Sequence, residues 1–462
     1  MSRMIQTALL IALAAAGPAQ AFEIQAKIKQ VDTERRTVVF ITGDSERTVK
    51  IGEEVQVLGR DGQPLAEGIK SPQLTAGSAV NISFDRQGDR RVMTAIRLRA
   101  QSDVGQFAAG KPPAIGQSNP PPARAAESAH PPSSADTQTP SAVDTSHLVP
   151  LSDMGGSTKY QGFAGGLYPE GSNVRPTAHE QAGLELAKTM QPLDANGQPQ
   201  SAGKIGLLTV GFSNTLQCSR GFIEVAAEDK SINPHVVIVN GAQGGRSAFM
   251  TQNPKDGAVG EQYWNKIVDQ LRAAGLTPAQ VQVVWLKQTD ANLNPGMLKN
   301  MHLPAYDSPL LQGFPKGQQT YEAELKQIVR VIHTLFPQVR LTYVSSRSYG
   351  GWTSHGGNSE PWSYETGFGV KWLIEAQLKG EADLNFDPAK GAVAAPWLSW
   401  GPYLWANGAK PRGDGLTVVY EDYSDKDHMH HSPQGIRKMG QRLVDFFKTD
   451  ATTKTWFLAP GA

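Results

Sequence analysis

The chain of 462 residues has a single cysteine, Cys218, no surplus of either charge, and no long apolar run beyond its first residues. A lone cysteine excludes an internal disulfide and a thiolate-ligated zinc finger, and it leaves no cysteine just after the N-terminal segment for lipid attachment. With 44 basic and 43 acidic residues there is no electrostatic case for nucleic acid or an anionic membrane surface. The expected partner is small or neutral. No stretch reaches the ~20 apolar residues that a membrane span needs.

What is present divides the chain into four parts. Residues 1–21 read as a secretory signal: Arg3 supplies the positive start, Ala8 to Ala16 the apolar core, and Ala19-Gln20-Ala21 the small-residue cleavage site. The mature protein is then expected to be soluble and periplasmic or secreted. Residues 22–101 alternate apolar and polar positions, as in Phe22 to Ile28 and Thr37 to Ile41, with turn signals such as Gly59-Arg60-Asp61-Gly62. This predicts a small all-β barrel or sandwich of about five or six strands, without a catalytic constellation and with an unknown partner. Residues 102–150 are dominated by Pro, Ala, Ser, Thr and Gln, which cannot bury enough apolar surface to offset ordering entropy, so a disordered linker is expected.

From 151 to 462 the periodicity changes. Helical patterns near 178–190, 261–274, 318–336, 361–379 and 433–448 alternate with apolar runs at 205–210, 235–240, 281–286, 341–345 and 416–420. Strands spaced by helices predict an α/β domain in which a five-stranded parallel sheet is covered on both faces, with three layers in a flavodoxin-like arrangement. Such sheets carry their chemistry outside the carboxyl ends of the strands. The residues following each run are therefore the candidate site.

The first run ends in Gly211-Phe212-Ser213-Asn214. Glycine and serine are ordinary turn residues, so Ser213 needs partners from the other strand ends to be a nucleophile. The second run leads into Asn240-Gly241-Ala242-Gln243-Gly244-Gly245-Arg246, a turn able to present backbone N–H groups to an anion. The third leads into Lys287-Gln288-Thr289-Asp290-Ala291-Asn292, where Lys287 is expected to face a carboxylate or the pocket mouth, since an unpaired buried ammonium is costly. After the last run comes Asp425-Lys426-Asp427-His428-Met429-His430-His431-Ser432-Pro433. Ser432 and Pro433 suit the N-cap and first position of a helix, which leaves the histidines in the loop before it.

These residues resemble the SGNH or GDSL-like serine hydrolases. Gly211-Phe212-Ser213 is similar to that family's first block, Gly245 is the best match to its oxyanion-hole glycine, and Asp427-His428-Met429-His430 is similar to its Asp-x-x-His block, with Ser432 and Gly435 in register. A wider stretch, including Tyr160 to Pro176 and Ser345 to Trp405, also resembles a group of uncharacterised exported bacterial proteins. The resemblance implies a carboxylic ester hydrolase without a cofactor. Ser213 would be the nucleophile, His430 the base and Asp427 its orienting acid, and the N–H groups of Ser213 and Gly245 would hold the oxyanion. Asp425 with His428 has the same spacing, and His431 is an alternative base. One block departs: Thr289 stands where the family has an asparagine that donates to the oxyanion. Its hydroxyl, Gln288 or Asn292 would have to serve, because losing one donor typically costs about 10² to 10³ in rate.

Asn214 and Arg246 lie beside the expected nucleophile and oxyanion hole and are expected to contact substrate. Trp352, Trp400 and Trp405 lie near Gly and Pro turns, where they suit either core packing or a pocket whose aromatic faces stack on sugar rings; the resemblance implies an O-acyl ester as substrate, and the tryptophans add an acetylated carbohydrate as one form. Two other classes compete. One is a binding protein on a degenerate hydrolase scaffold, motivated by the altered third block. The other is a metal site built from Asp425, Asp427, His428, His430 and His431, although adjacent loop histidines seldom converge on one ion.

Overall fold

The computed structural model describes residues 22–42, 45–87, 90–99, 143–255, 259–290, 306–353 and 359–461. It comprises two compact units, one N-terminal and one C-terminal. The signal-like residues 1–21, most of the linker and Asn292 lie outside the described residues.

In the N-terminal unit, β1 (Phe22–Asp32), β2 (Thr37–Thr42), β3 (Ser45–Lys50), β4 (Gln56–Leu58), β5 (Ala79–Gln87) and β6 (Arg90–Leu98) form one sheet. Its order is β3-β2-β1-β5-β6-β4, antiparallel except where β4 joins β6. The sequence alternation is realised as two faces, with Ala26 and Ile28 buried while Lys27 and Lys29 are exposed. Ile28, Val38, Phe40, Val80, Ile82 and Ile96 form the core, and the loops add Ile51, Ile69 and Leu74.

The C-terminal unit begins before residue 151. Leu148 is buried in its core, and Thr145 is hydrogen-bonded to the Tyr349 hydroxyl and to Asn407. The stretch read as linker therefore ends earlier than composition suggested, because its last residues have apolar and polar partners to pack on. A short hairpin, β7 (Lys159–Tyr160) and β8 (Phe163–Ala164), follows.

The central sheet is parallel. It contains β9 (Ile205–Gly211), β10 (Val236–Asn240), β11 (Val281–Lys287), β12 (Leu341–Val344) and β13 (Trp397–Trp400), in the order β10-β9-β11-β12-β13. This is the doubly wound order 2-1-3-4-5. The fifth strand is not the expected 416–420 run but Trp397–Trp400, whose four residues are all buried. Large aromatics favour a strand covered on both faces, and that pull outweighed the more familiar aliphatic pattern downstream.

The helices that matter here are α1 (Thr177–Lys188), α2 (Ser213–Glu228), α3 (Gly260–Ala273), α4 (Lys316–Leu335), α5 (Trp362–Leu378) and α6 (Pro433–Thr449). Both sheet faces are covered. Thr209 of β9 is hydrogen-bonded to Ser219 of α2, whereas its neighbour Leu208 lies on the opposite side, against the Gly241 turn beside Ile267 of α3. Phe222 of α2 stacks on Phe447 of α6, and Trp264 of α3 packs on Phe336 just beyond α4.

Helix α2 has no counterpart among the expected helices. Asn214, Thr215 and Ser219 are buried on it, and Gly221 interrupts it, so its apolar stripe is thin. Gly221 is there for contact: a Cβ on it would stand 2.1 Å from the Ile436 carbonyl oxygen, and one on Gly440 would stand 2.2 Å from Gly221 itself. The backbones of α2 and α6 touch at these glycines, which brings together the two loops from which the helices start.

Candidate active site

Ser213 opens α2 directly after β9. Gly211 has φ +154°, and a Cβ there would fall 2.0 Å from the Lys287 carbonyl oxygen of the neighbouring strand, so only glycine fits. The buried Tyr263 hydroxyl holds this turn, accepting from Gly211 N at 2.9 Å and donating to Gly211 O at 3.0 Å. Ser213 is half-buried in the first turn of its helix, where backbone N–H groups lack intrahelical partners and the helix dipole is positive.

The loop between the short turn Tyr420–Asp422 and α6 carries the histidines. Ser432 caps α6 by accepting from Gly435 N, with Pro433 in its first turn, as the sequence predicted. His430 Nε2 lies 3.0 Å from Ser213 Oγ, and His430 Nδ1 lies 2.6 Å from Asp427 Oδ2. The other Asp427 oxygen accepts from the N–H groups of Met429 and His430. Burial works against ionising Asp427, but the bonds from the His430 ring and from these two N–H groups outweigh it and hold the carboxyl well below the ordinary carboxylate range. A carboxylate only accepts, so Nδ1 carries the imidazole proton and Nε2 offers its lone pair to Ser213. The structure thus brings Ser213, His430 and Asp427 into one hydrogen-bonded row.

The neighbouring histidines point elsewhere. His428, at φ +48°, stacks on Tyr420 with centroids 4.4 Å apart and bonds its hydroxyl at 2.7 Å. Asp425 is exposed and does not orient it. His431 is buried against Tyr423, 3.5 Å from Ser348 Oγ. Burial first, and then the nearby Lys287 and Arg347 cations, lower its pKa to about 3. The three imidazoles diverge, and among the described residues no group of three or more His, Cys, Asp or Glu side chains is gathered to hold a metal ion.

The glycine turn after β10 lies beside Ser213. A Cβ on Gly244 would lie 3.7 Å from that of Ser213, whereas one on Gly245, at φ +69°, would meet nothing within 4 Å. A side chain on Gly244, and not one on Gly245, would therefore meet Ser213. Gln243 N donates to Gly211 O, which pins the glycine turn to the nucleophile's strand.

Thr289 is not brought to the serine. It is 1% exposed, and its hydroxyl accepts from Trp362 Nε1 at 3.0 Å and donates toward the Asp290 carbonyl. Gln288 is equally engaged, donating to Arg246 O and Thr251 Oγ1 while accepting from Thr289 N. Nor, among the described residues, does Lys287 face a carboxylate. It is buried near Arg347, Cys218 and His431, and burial lowers its pKa to about 8, with Arg347 acting in the same direction.

The expected substrate-contacting residues mostly serve the fold. Asn214 is buried, donating to Met429 O at 2.8 Å and accepting from Arg347 Nη2 at 3.1 Å. Trp405 is fully buried, with its indole on Glu360 Oε1 at 2.8 Å. Trp400 donates to Leu167 O and borders a cavity of about 590 Å³ shared with Tyr403 and Arg175, which none of the triad residues lines. Trp352 is partly buried against Tyr349 and Tyr420, and its indole donates to Val418 O. Arg246 is half-buried in the glycine turn. Gly244, Gln217 and Arg347 were not singled out from the sequence. Gln217 could have been, since it follows Ser213 by four residues and so shares a helical face with it.

No family model matches the chain, and no curated protein matches it. Two solved structures show slight similarity. The crystal structure of Ag(I)CusF is 14% identical, with a TM-score of 0.12, covering 17% of this chain and 97% of that one. The structure of apo-CusF from Escherichia coli is 11% identical, with a TM-score of 0.13, covering 20% of this chain and 100% of that one. Similarity of this size carries no argument about the chain.

Proposed function

We propose that the C-terminal unit is an SGNH-like serine esterase that hydrolyses O-acyl esters. The observation that carries this reading is the row Ser213 Oγ, His430 Nε2, His430 Nδ1 and Asp427 Oδ2, with separations of 3.0 and 2.6 Å. The parallel sheet order, the position of Ser213 at the end of β9 and that of Asp427 and His430 in the loop before the last long helix support the SGNH assignment. Ser213 Oγ attacks the acyl carbon while its proton passes to His430 Nε2, and the imidazolium is stabilised by the Asp427 carboxylate. The carbonyl oxygen, now negative, accepts from the N–H groups of Ser213 and Gly244. His430 returns the proton to the departing alkoxide, and water, activated the same way, releases the acid. No cofactor enters these steps.

The reading stops at the O-acyl ester. The indole N–H groups of Trp352, Trp400 and Trp405 are all bonded within the chain, so the proposal is confined to the ester and leaves its alcohol unassigned. Export remains an inference from residues 1–21. A second reading, a catalytically degenerate binding protein on the same scaffold, is favoured by one observation, the engaged hydroxyl of Thr289. Turnover of p-nitrophenyl acetate and covalent labelling by a fluorophosphonate separate the two. The esterase reading expects labelled Ser213 and activity that disappears in Ser213→Ala. Absence of both labelling and turnover favours the binding protein, and equal turnover by Ser213→Ala removes the triad.

A further inference from the structure

His430 and Asp427 sit near the surface, with side chains 30% and 26% exposed, so core packing alone does not fix the imidazole. The residues on either side of His430 are nevertheless both held, and both by the helix that carries Ser213. On one side Asn214 Nδ2 donates to Met429 O at 2.8 Å. On the other, Gln217 Oε1 accepts from His431 N at 2.9 Å, and Gln217 Nε2 reaches His431 O at 3.5 Å. Asn214 and Gln217 follow Ser213 by one and four residues, so the nucleophile and both contacts move as one rigid helical turn.

The Asn214 amide has a single workable orientation. The Arg347 guanidinium has only donors, so it must face Asn214 Oδ1, which leaves Nδ2 for the Met429 carbonyl. Arg347 is itself buried, bonded through Nε to Ser363 Oγ and through its backbone N to Thr366 Oγ1. Fixed by α5, it fixes Asn214 in turn.

We infer that Asn214, backed by Arg347, and Gln217 form a two-point clamp that sets the distance and angle of His430 to Ser213. They are positioning residues, since neither touches the reacting atoms. The inference rests on the esterase reading. It expects losses in kcat rather than KM, because a 1 Å misplacement of a catalytic group can cost about 10²-fold.

The experiment measures kcat and KM for p-nitrophenyl acetate, fluorophosphonate labelling and thermal unfolding for the full chain and for Asn214→Ala, Gln217→Leu and Gln217→Glu. Asn214→Ala should lower kcat about 10- to 100-fold, and Gln217→Leu about 10-fold, with KM within about threefold. Gln217→Glu still accepts from His431 N and should recover most of the loss seen with leucine. If Asn214→Ala does not fold, the partly exposed Gln217 pair decides. Wild-type kcat in folded Asn214→Ala and Gln217→Leu overturns the clamp, as does equal loss from leucine and glutamate. A wild-type protein that neither labels nor turns over instead overturns the esterase reading on which the clamp rests.

Discussion

At the end of β9, Ser213 is half-buried and its hydroxyl meets an imidazole nitrogen 3.0 Å away. At the end of the adjacent β11, Thr289 is 1% exposed and its hydroxyl is engaged by the Trp362 indole and the Asp290 carbonyl. Both residues follow a fully buried strand of the same sheet. The difference lies in what packs over them. A helix starts directly at Ser213 and leaves its first turn open, whereas α5 brings Trp362 over Thr289. A hydroxyl beyond a parallel strand is available for chemistry where its proton meets a group that can take it, as at Ser213, and not where it is spent on a structural carbonyl, as at Thr289.

The largest break in this comparison should come from Asp427→Asn. Asparagine still fits, but its amide can donate to Nδ1, which turns the imidazole to the tautomer that cannot accept from Ser213. Loss of kcat by about 10² to 10⁴ is expected, with little change in unfolding temperature. Steady-state kinetics check it; retention of most activity would mean that His430 is not the base.

Gly244→Ala should come next. Its methyl would lie about a van der Waals contact from Ser213, where an ester oxygen has to enter, and kcat/KM should fall by on the order of tenfold. Gly245→Ala, strained at φ +69° but facing open space, should cost stability more than rate. The reverse order would return the oxyanion register to Gly245.

His431 sharpens the comparison through pH. Its pKa is depressed from 6.5 to about 3, by burial first and then by Lys287, with Arg347 and His430 acting in the same direction. Between those values the unfolded chain binds more protons than the folded one, so the stability contributed by neutral His431 is present above 6.5 and drains away as pH falls toward 3. Urea midpoints at about pH 7.5 and about pH 5 should differ less in His431→Gln than in wild type. An unchanged difference would assign the acid sensitivity to other groups.

Much of this site was legible because its residues obey local rules. Gly211 has to be glycine against Lys287 O, Ser432 and Pro433 start α6, and Asp427 reaches His430 within one loop. What escaped depends on contacts between distant segments. Helix α2 was hidden because four of the residues on its buried face, Asn214, Thr215, Ser219 and Gly221, are polar or glycine, used for hydrogen bonds and for contact with α6 rather than for an apolar stripe. The fifth strand was misplaced, and with it the tryptophans of 397–405 looked like pocket walls. Nothing local distinguishes an aromatic strand buried on both faces from an aromatic loop beside a ligand. Gly244 and Gly245 are likewise indistinguishable in sequence, and only the conformation of the turn puts Gly244 rather than Gly245 beside Ser213.

The smallest effect on activity, and the most telling, is expected from Thr289→Val. Valine matches threonine in shape and removes only the hydroxyl, leaving the buried Trp362 N–H without its acceptor. The cost should appear in stability, about 1 to 3 kcal/mol by denaturant unfolding, while kcat stays within about threefold. A hydroxyl that instead turned toward substrate and donated to the oxyanion would give the opposite pattern, a rate loss of about 10² or more with a smaller stability change. Two substitutions, Asp427→Asn behind the base of Ser213 with lost rate and kept stability and Thr289→Val with kept rate and lost stability, would then read out the division between the open and the covered strand end. If Thr289→Val alone lost rate, β11 would have to be counted with the site, and the rotation of Thr289 away from Trp362 would become the step that completes it.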